Sequence, residues 1–372
     1  MKRSLMIIMA AAFILSGCWD QRLIKESNLI RIVGYDKEKN HKLRESVGYP
    51  VVAHGELSAV QPKSNINSTV NDSPRDARLA LDRKVVQTYD SSKVKVFLYS
   101  AALAKENVYN SLDVVYRDPK GSLNALVAVI NGRALDALNV KQRDTGLIED
   151  YYEELIQSGN ELGMYRLENV QSLCTAIFTE GKDAVLPFIK LREKEGRADI
   201  VGTALFHHKK MTGQLNYEES SMLTLLNKMK KTKTPYFSFI VGKEKSAGEK
   251  ALNARVKKIK GKMNIQYNKI QGVHVKISYI VDMEISQYPP NHLTEKKTVD
   301  ALSEKMNAKM NDLANTTLDK LQKADCDALG IGQKLHAFHF DAWSRMDWDK
   351  DYPNVKITPD IKVNIIQHGI IN

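Results

Sequence analysis

The most regular pattern in the chain is the run Val273, Val275, Ile277, Tyr279, Val281, Met283 and Ile285, which occupies every second position with mostly polar residues between. Met263, Ile265 and Tyr267 repeat it just upstream, and Ile357, Ile361, Val363 and Ile365 repeat it near the C-terminus. A strict period of two sends alternate side chains to opposite faces, which predicts antiparallel strands with one wet face. Between them, Thr298–Leu321 carries Leu302, Met306, Met310, Leu313 and Leu321, a helical stripe long enough to cover such a sheet. Asp199–Phe206 and a turn at His207–Gly213 predict a hairpin, and Glu218–Lys230 a helix with Met222, Leu225, Leu226 and Met229 on one side. Residues 197–372 are therefore expected to form an α+β domain with an antiparallel sheet under a long helix.

The N-terminal half alternates differently. Ser27–Asp36 and Leu43–Ala53 predict a strand hairpin, and the polar stretch 55–70 an exposed loop. Ser73, Pro74 and Asp76 form a helix start, with Ser73 as cap, Pro74 in the first turn and Asp76 at the positive end. Ala77, Leu81 and Val85 then give a buried stripe. Lys93–Ala102 and Leu123–Ile130 become fully apolar, as interior strands do, with helices expected at 105–116 and 133–138. Strand, helix, strand, helix in that order predicts an α/β sheet domain over 18–140. Helices at 143–156, capped by Asp144 and ended at Gly159, and at 170–178 suggest a small helical middle domain over 141–196. Pro187–Gly196 reads as a charged loop and the best boundary. The fold class expected is α+β in three mixed domains.

The first seventeen residues have another character. Lys2 and Arg3 precede an unbroken apolar run from Leu5 to Leu15. Eleven residues fall well short of the ~20 that a membrane-spanning helix needs. A basic start, a short apolar core and small residues at the cut read as a signal peptide over 1–17. Leu15, Ser16, Gly17 and Cys18 resemble a bacterial lipobox, in which the Cys18 thiol receives a diacylglyceryl group and becomes the new N-terminus; an ordinary secretion signal is the alternative. Two or three acyl chains would hold the body on the outer face of the membrane, whereas one holds only marginally.

Composition narrows the classes. Apolar residues make up 43% and charged residues 27% of 372, ordinary for a globular body. Cleavage before Cys18 takes two positive charges from the net +11 and leaves +9. That favours anionic headgroups or an acidic partner, while solubility alone explains it equally well. Nucleic acid is excluded as a partner for a protein tethered outside the membrane. From Lys228 to Lys262, twelve Lys or Arg face two Glu, a local surplus that reads either as a membrane- or partner-facing patch or as lysines guarding a strand edge. With Cys18 lipidated, Cys174 and Cys326 read as lone buried thiols.

No Walker loop, HExxH, GxSxG or Gly-rich dinucleotide fingerprint occurs in the sequence, so no catalytic residue and no cofactor is assigned. Adjacent residues of a strand point to opposite faces, so His207 and His208 are expected to make poor joint metal ligands. His336 and His339, three apart, could share a helix face but lack a third ligand at a recognised spacing. The pairs Glu153–Glu154 and Glu218–Glu219 read as solvated.

Several blocks carry a family resemblance. Gly17–Cys18–Trp19–Asp20 and IRIVGYDKE (30–38) resemble the C-subunit lipoproteins of spore nutrient-germinant receptors, the Ger(x)C family. SPRDARLAL (73–81), KVKVFLYSAALAKE (93–106), VVYRDP (114–119), VLPFIKL (185–191), GTALFHHKKMTGQL (202–215) and DALGIGQ (327–333) follow in family order, then Trp343, Trp348 and Gly369. The departures are Val-Gly-Tyr-Asp at the first strand end and a less hydrophobic second strand at 43–53. The resemblance implies a non-enzymatic subunit of three α+β domains, without a cofactor. It implies work beside a receptor A subunit and a transporter-like B subunit in the spore inner membrane, with the lipid bilayer reached through the acylated N-terminus. A solute-binding lipoprotein that captures a small nutrient for a membrane partner is the alternative, against which the alternating C-terminal strands count. An exported hydrolase is weakest, since no nucleophile–base pair is visible.

Overall fold

The computed structural model describes residues 27–51, 62–84, 88–140, 146–228, 234–241, 251–268 and 272–367. The expected lipobox, Leu15 to Cys18, and the cap expected at Asp144 lie outside the described residues. In chain order the strands are β1 (Ser27–Leu29), β2 (Ile32–Lys37), β3 (Leu43–Val51), β4 (Lys63–Asn71), β5 (Thr88–Asp90), β6 (Val96–Ser100), β7 (Leu126–Asn131), β8 (Val185–Arg192), β9 (Arg197–His207), β10 (Lys210–Asn216), β11 (Tyr236–Ile240), β12 (Ala251–Asn268), β13 (Gly272–Gln287) and β14 (Lys356–Gln367). The helices are α1 (Pro74–Asp82), α2 (Ala101–Ala104), α3 (Tyr109–Tyr116), α4 (Ala134–Leu138), α5 (Ile148–Glu161), α6 (Val170–Phe178), α7 (Tyr217–Leu226), α8 (Lys296–Lys323), α9 (Ile331–Phe338), α10 (Phe340–Trp343) and α11 (Trp348–Asp351).

Eight strands form one sheet in the order β10-β9-β8-β7-β6-β2-β3-β4. Its centre, β2-β6-β7-β8, is parallel, and an antiparallel strand pair closes each side. The apolar runs Val96–Tyr99 and Val127–Ile130 follow from this position, because both faces of a central strand are covered. On one face Tyr35, Phe97, Tyr99 and Val129 meet α1, α3 and α6. On the other, Ile32, Leu98, Ala128 and Ile130 meet α4 and α5.

Those two faces alter the picture of residues 141–196. Helices α5 and α6, expected to pair as a small helical unit, pack on opposite sides of the sheet. Residues 187–192, read as loop, belong to β8, and β8 pairs antiparallel with β9 across the turn at 193–196. The charged end of that strand concealed its apolar start, buried from Val185 to Ile189. Helix α5 also runs through Gly159 rather than stopping there; the glycine makes room for the Tyr165 ring, with which a side chain at this position would collide, and does not end the helix. Its cap position is Leu147.

Residues 63–70, expected as loop, form the edge strand β4. Its asparagines are structural: Asn65 and Asn67 each donate from Nδ2 to Tyr49 Oη at 2.9 Å. Helix α1 starts as expected, with Ser73 Oγ accepting from Asp76 N at 3.1 Å. Helix α3 begins at Tyr109, later than 105, since the separate turn α2 follows β6 directly.

The second sheet has the order β11-β12-β13-β14, and its alternating residues Val273 to Ile285 are buried under α7 and α8. One expectation fails: β13 and β14 pair in parallel. Period two reports which face is buried, not strand direction. Helix α8 buries Leu302, Met306, Met310, Ala314, Leu318 and Leu321. It also caps the edge of β14. Asn311 donates to Ile361 O at 2.8 Å and accepts from Ile361 N at 2.9 Å, while Asn307 accepts from Val363 N at 2.6 Å. Two amide side chains thus replace a neighbouring strand.

Candidate functional site at the junction of the two sheets

The two sheets meet where the segment after α6 touches the segment before α9. Gly181, with φ of 71°, turns the first of these back on itself. Gln333 N then donates to Gly181 O at 2.8 Å, and Asp183 N to Asp327 O at 3.1 Å. The Asp183 carboxylate clamps both sides, accepting from Asp327 N at 2.9 Å and from His208 N at 2.8 Å.

Asp327 lies deeper, 1% exposed. Its two oxygens accept from Ile331 N at 2.9 Å, Gly332 N at 2.8 Å and Trp348 Nε1 at 3.2 Å. The first two donors are the opening amides of α9, so the carboxylate sits where the helix dipole favours negative charge. Burial pushes its pKa up to about 6 and Asp183 adds to the shift, while the helix amides and the indole oppose it. Gly332 is obligatory here: a Cβ would lie 2.6 Å from Gly181 Cα and collide with the Trp348 indole. Trp343, Trp348 and Tyr352 pack in succession in tilted contacts at 5.8 and 5.7 Å, and Tyr352 Oη donates to Cys326 O at 2.9 Å. A carboxylate committed to three donors and walled by aromatics is an interlock, not a general acid or base.

Beside the interlock a cavity of about 740 Å³ opens between α6 and the start of α9. Arg166, Lys182, Lys228 and Lys334 line it with Glu168 and Asp183. Burial lowers the Lys334 ammonium and raises the Glu168 carboxyl.

The histidines differ from expectation in both pairs. His207 and His208 do not diverge: their ring centroids are 4.2 Å apart, because His208 adopts φ of 50° at the hairpin turn and leaves the strand alternation. His336 and His339 do not converge. His336 lies against the Phe340 and Trp343 rings in tilted contacts, whereas His339 closes α9 with a backbone that is neither helical nor extended. Glu219 is buried rather than solvated; it caps α7 from within and meets Lys320 Nζ at 2.7 Å. Glu153 pairs with Lys95 at 2.6 Å. Cys174 and Cys326 are buried free thiols, both raised by burial, Cys174 to about 11.

The basic tract is answered in part by its own sheet. Lys257 meets Glu284 and Lys260 meets Asp282, each at 2.8 Å. Arg255 lies over the Tyr236 ring, and Lys228 over the Tyr279 ring. Residues 229–233 and 242–250 of this tract lie outside the described residues. Among the described residues no helix is long and apolar enough to cross a membrane.

Asp183 and Asp327 escaped the sequence reading. Asp327 had a signal, since an Asp shortly before Gly330-Ile331-Gly332 and the helix they open fits a carboxylate facing a helix start. Asp183 had none, because its partners lie 25 and 144 residues away.

Comparison with known proteins adds the family. Residues 20–191 match the model described as spore germination protein N-terminal domain, and residues 201–369 that described as spore germination B3/GerAC-like, C-terminal. The seam between the two matches falls at the β8–β9 turn. Spore germination protein GerQC of Bacillus cereus is 20% identical over 372 residues, covering 100% of this chain and 99% of that protein. Spore germination protein KC of Bacillus subtilis (strain 168) is 20% identical over 401 residues, covering 98% and 95%. The crystal structure of the GerBC protein shares the fold with a TM-score of 0.53 at 16% identity, covering 90% of this chain and 97% of that one. With both domains matched in order and together spanning most of the 372 residues, the chain belongs to the Ger(x)C, or GerAC-like, family of spore germination proteins.

Proposed function

We propose that this protein is the lipid-anchored, non-catalytic C subunit of a spore nutrient-germinant receptor. It serves assembly and signalling beside a receptor A subunit and a transporter-like B subunit at the spore inner membrane. The observation that carries this reading is the position of Cys18, two residues before the start of the matched N-terminal domain, behind a short apolar leader. Acylation there leaves the whole two-sheet body outside the bilayer, tethered by Trp19 and the residues that follow. The interlock through Asp183 and Asp327 suits a body that passes force or position between partners, since it joins both sheets without a catalytic group.

The test is a Cys18→Ala protein expressed in sporulating cells. Wild type should incorporate labelled palmitate, sediment with the inner membrane and support the nutrient response. The variant should lose the label and the membrane fraction together. A variant that still assembles and germinates fully removes the anchor from the mechanism.

A second reading rests on the cavity, where four cations face two carboxylates, a balance suited to a small anionic or zwitterionic solute. Calorimetry of the soluble body with amino acids and sugars separates the readings: saturable heat favours nutrient capture.

A further inference from the structure

We propose that His207, His208 and Asp349 form a binding site for a divalent transition-metal ion of the zinc class, stapling the β9–β10 turn to helix α11. Each of the three offers one ligand atom, and these atoms lie within 4.8 Å of one another. His208 Nε2 and Asp349 Oδ2 are already 3.1 Å apart. Ligand atoms on a tetrahedral ion with bonds of ~2.1 Å sit about 3.4 Å apart. Small rotations of two exposed side chains, His208 and Asp349, therefore close the set without moving the backbone.

Three further features separate this trio from an ordinary surface ion pair. The first is backbone cost. His208 holds a left-handed φ of 50°, sparsely populated for histidine, and that conformation brings its ring beside His207. The second is an unmet polar atom. His207 Nδ1 is buried and has no hydrogen-bond partner among the described residues. The nearest carboxylate oxygen, Asp183 Oδ2, stands 3.7 Å away, an ion-pair distance too long for a hydrogen bond. Asp183 lies outside the trio and suits the role of the outer carboxylate that orients a metal-bound imidazole.

The third is framing by the interlock. The His208 backbone is held by Asp183, and Trp348, the neighbour of Asp349, is held by Asp327. Ligands separated by 141 residues are thus set on fixed supports rather than on free loops. Two imidazoles and one carboxylate select zinc, cobalt, nickel or copper over calcium or magnesium, which take oxygen sets. A fourth position stays open to water.

The experiment uses full-length protein in detergent, purified without a polyhistidine tag and stripped with chelator. Co2+ is titrated as the probe, and Zn2+ is then added to displace it. The expected result is one Co2+ per chain with the strong visible bands of a tetrahedral site, bleached by Zn2+, and a higher melting temperature with Zn2+ present. His208→Asn keeps a residue that tolerates the left-handed backbone and removes a ligand. It and Asp349→Asn should each weaken binding at least tenfold while circular dichroism stays native. The double variant His336→Ala/His339→Ala should bind as wild type. Absence of bands in wild type, or binding by His208→Asn and Asp349→Asn equal to wild type, overturns the site, as does loss of binding in the His336/His339 control.

Discussion

Two buried carboxylates in this protein have been treated in opposite ways. Asp327, at the junction of the sheets, has three donors on its two oxygens, two of them opening amides of α9. Glu45, inside the N-terminal sheet, is 0% exposed yet accepts one hydrogen bond among the described residues, from Tyr89 Oη at 3.0 Å. Its Oε2, the nearby Tyr35 Oη, and Nε and Nη2 of Arg78 have no hydrogen-bond partner among the described residues. Burial raises both acids, Glu45 to about 7 and Asp327 to about 6; for Glu45 the Arg78 charge and the tyrosine bond oppose the shift. The difference teaches where the fold is committed. The junction spends its polar groups on geometry, while the Glu45 cluster stays under-bonded and sensitive to protonation.

The largest expected effect is at the junction. Asp327→Ala should leave three buried donors unmatched and cost roughly 4 kcal/mol, read by urea unfolding. A loss no greater than that of an average surface change would show that the carboxylate is not the interlock.

Next comes the pH profile. An acid whose folded value is raised keeps its proton in the folded chain at pH values where the unfolded chain has released it. Stability therefore falls as pH rises through that window. The window runs from the ordinary 4.5 to about 7 for Glu45, and from 3.8 to about 6 for Asp327. The Glu45 contribution is on the order of 3 kcal/mol. Glu45→Gln should abolish the part of the slope above pH 6, where Asp327 no longer titrates, and reduce it between 4.5 and 6, where both acids contribute, seen as unfolding midpoints from pH 4 to 8. A slope unchanged above pH 6 would assign it elsewhere.

The smallest effect sharpens the contrast. Tyr89→Phe deletes the Tyr89 hydrogen bond to Glu45 and should cost about 1 kcal/mol at pH 8, where the carboxylate is charged. It should also shift the upper limb of the same profile to higher pH, because an opposing influence on the acid is gone. If Tyr89→Phe instead costs as much as Asp327→Ala, the two carboxylates are equally committed and the comparison collapses.

Much of the architecture follows from neighbours in the chain. The cap at Ser73 and the buried stripe of α8 depend on residues three or four apart. So do the apolar runs of β6 and β7 and the period-two strands β12 and β13, at still shorter spacing. These features were legible because their causes are local. The polar strand β4 was not legible, since its asparagines are satisfied by Tyr49 across the sheet. Strand β8 was hidden by the charges at its end. The parallel β13–β14 pairing was invisible to any periodicity.

The junction shows the same division most sharply. A linear reading marked residues 327–333, Trp343 and Trp348 as family features and could not say what they do. Folding brings Asp183 to them across 144 residues, turns His208 out of its strand, and lays Asp349 beside it. Side-chain period, the helix start at Ser73 and family membership are written in short-range pattern, where each residue meets the same neighbours in every copy of the chain. Which carboxylate is buried, which donors it keeps and which imidazoles meet depend on distant segments arriving at one place. That arrival is set by the packing of two sheets, and no single stretch of sequence carries it.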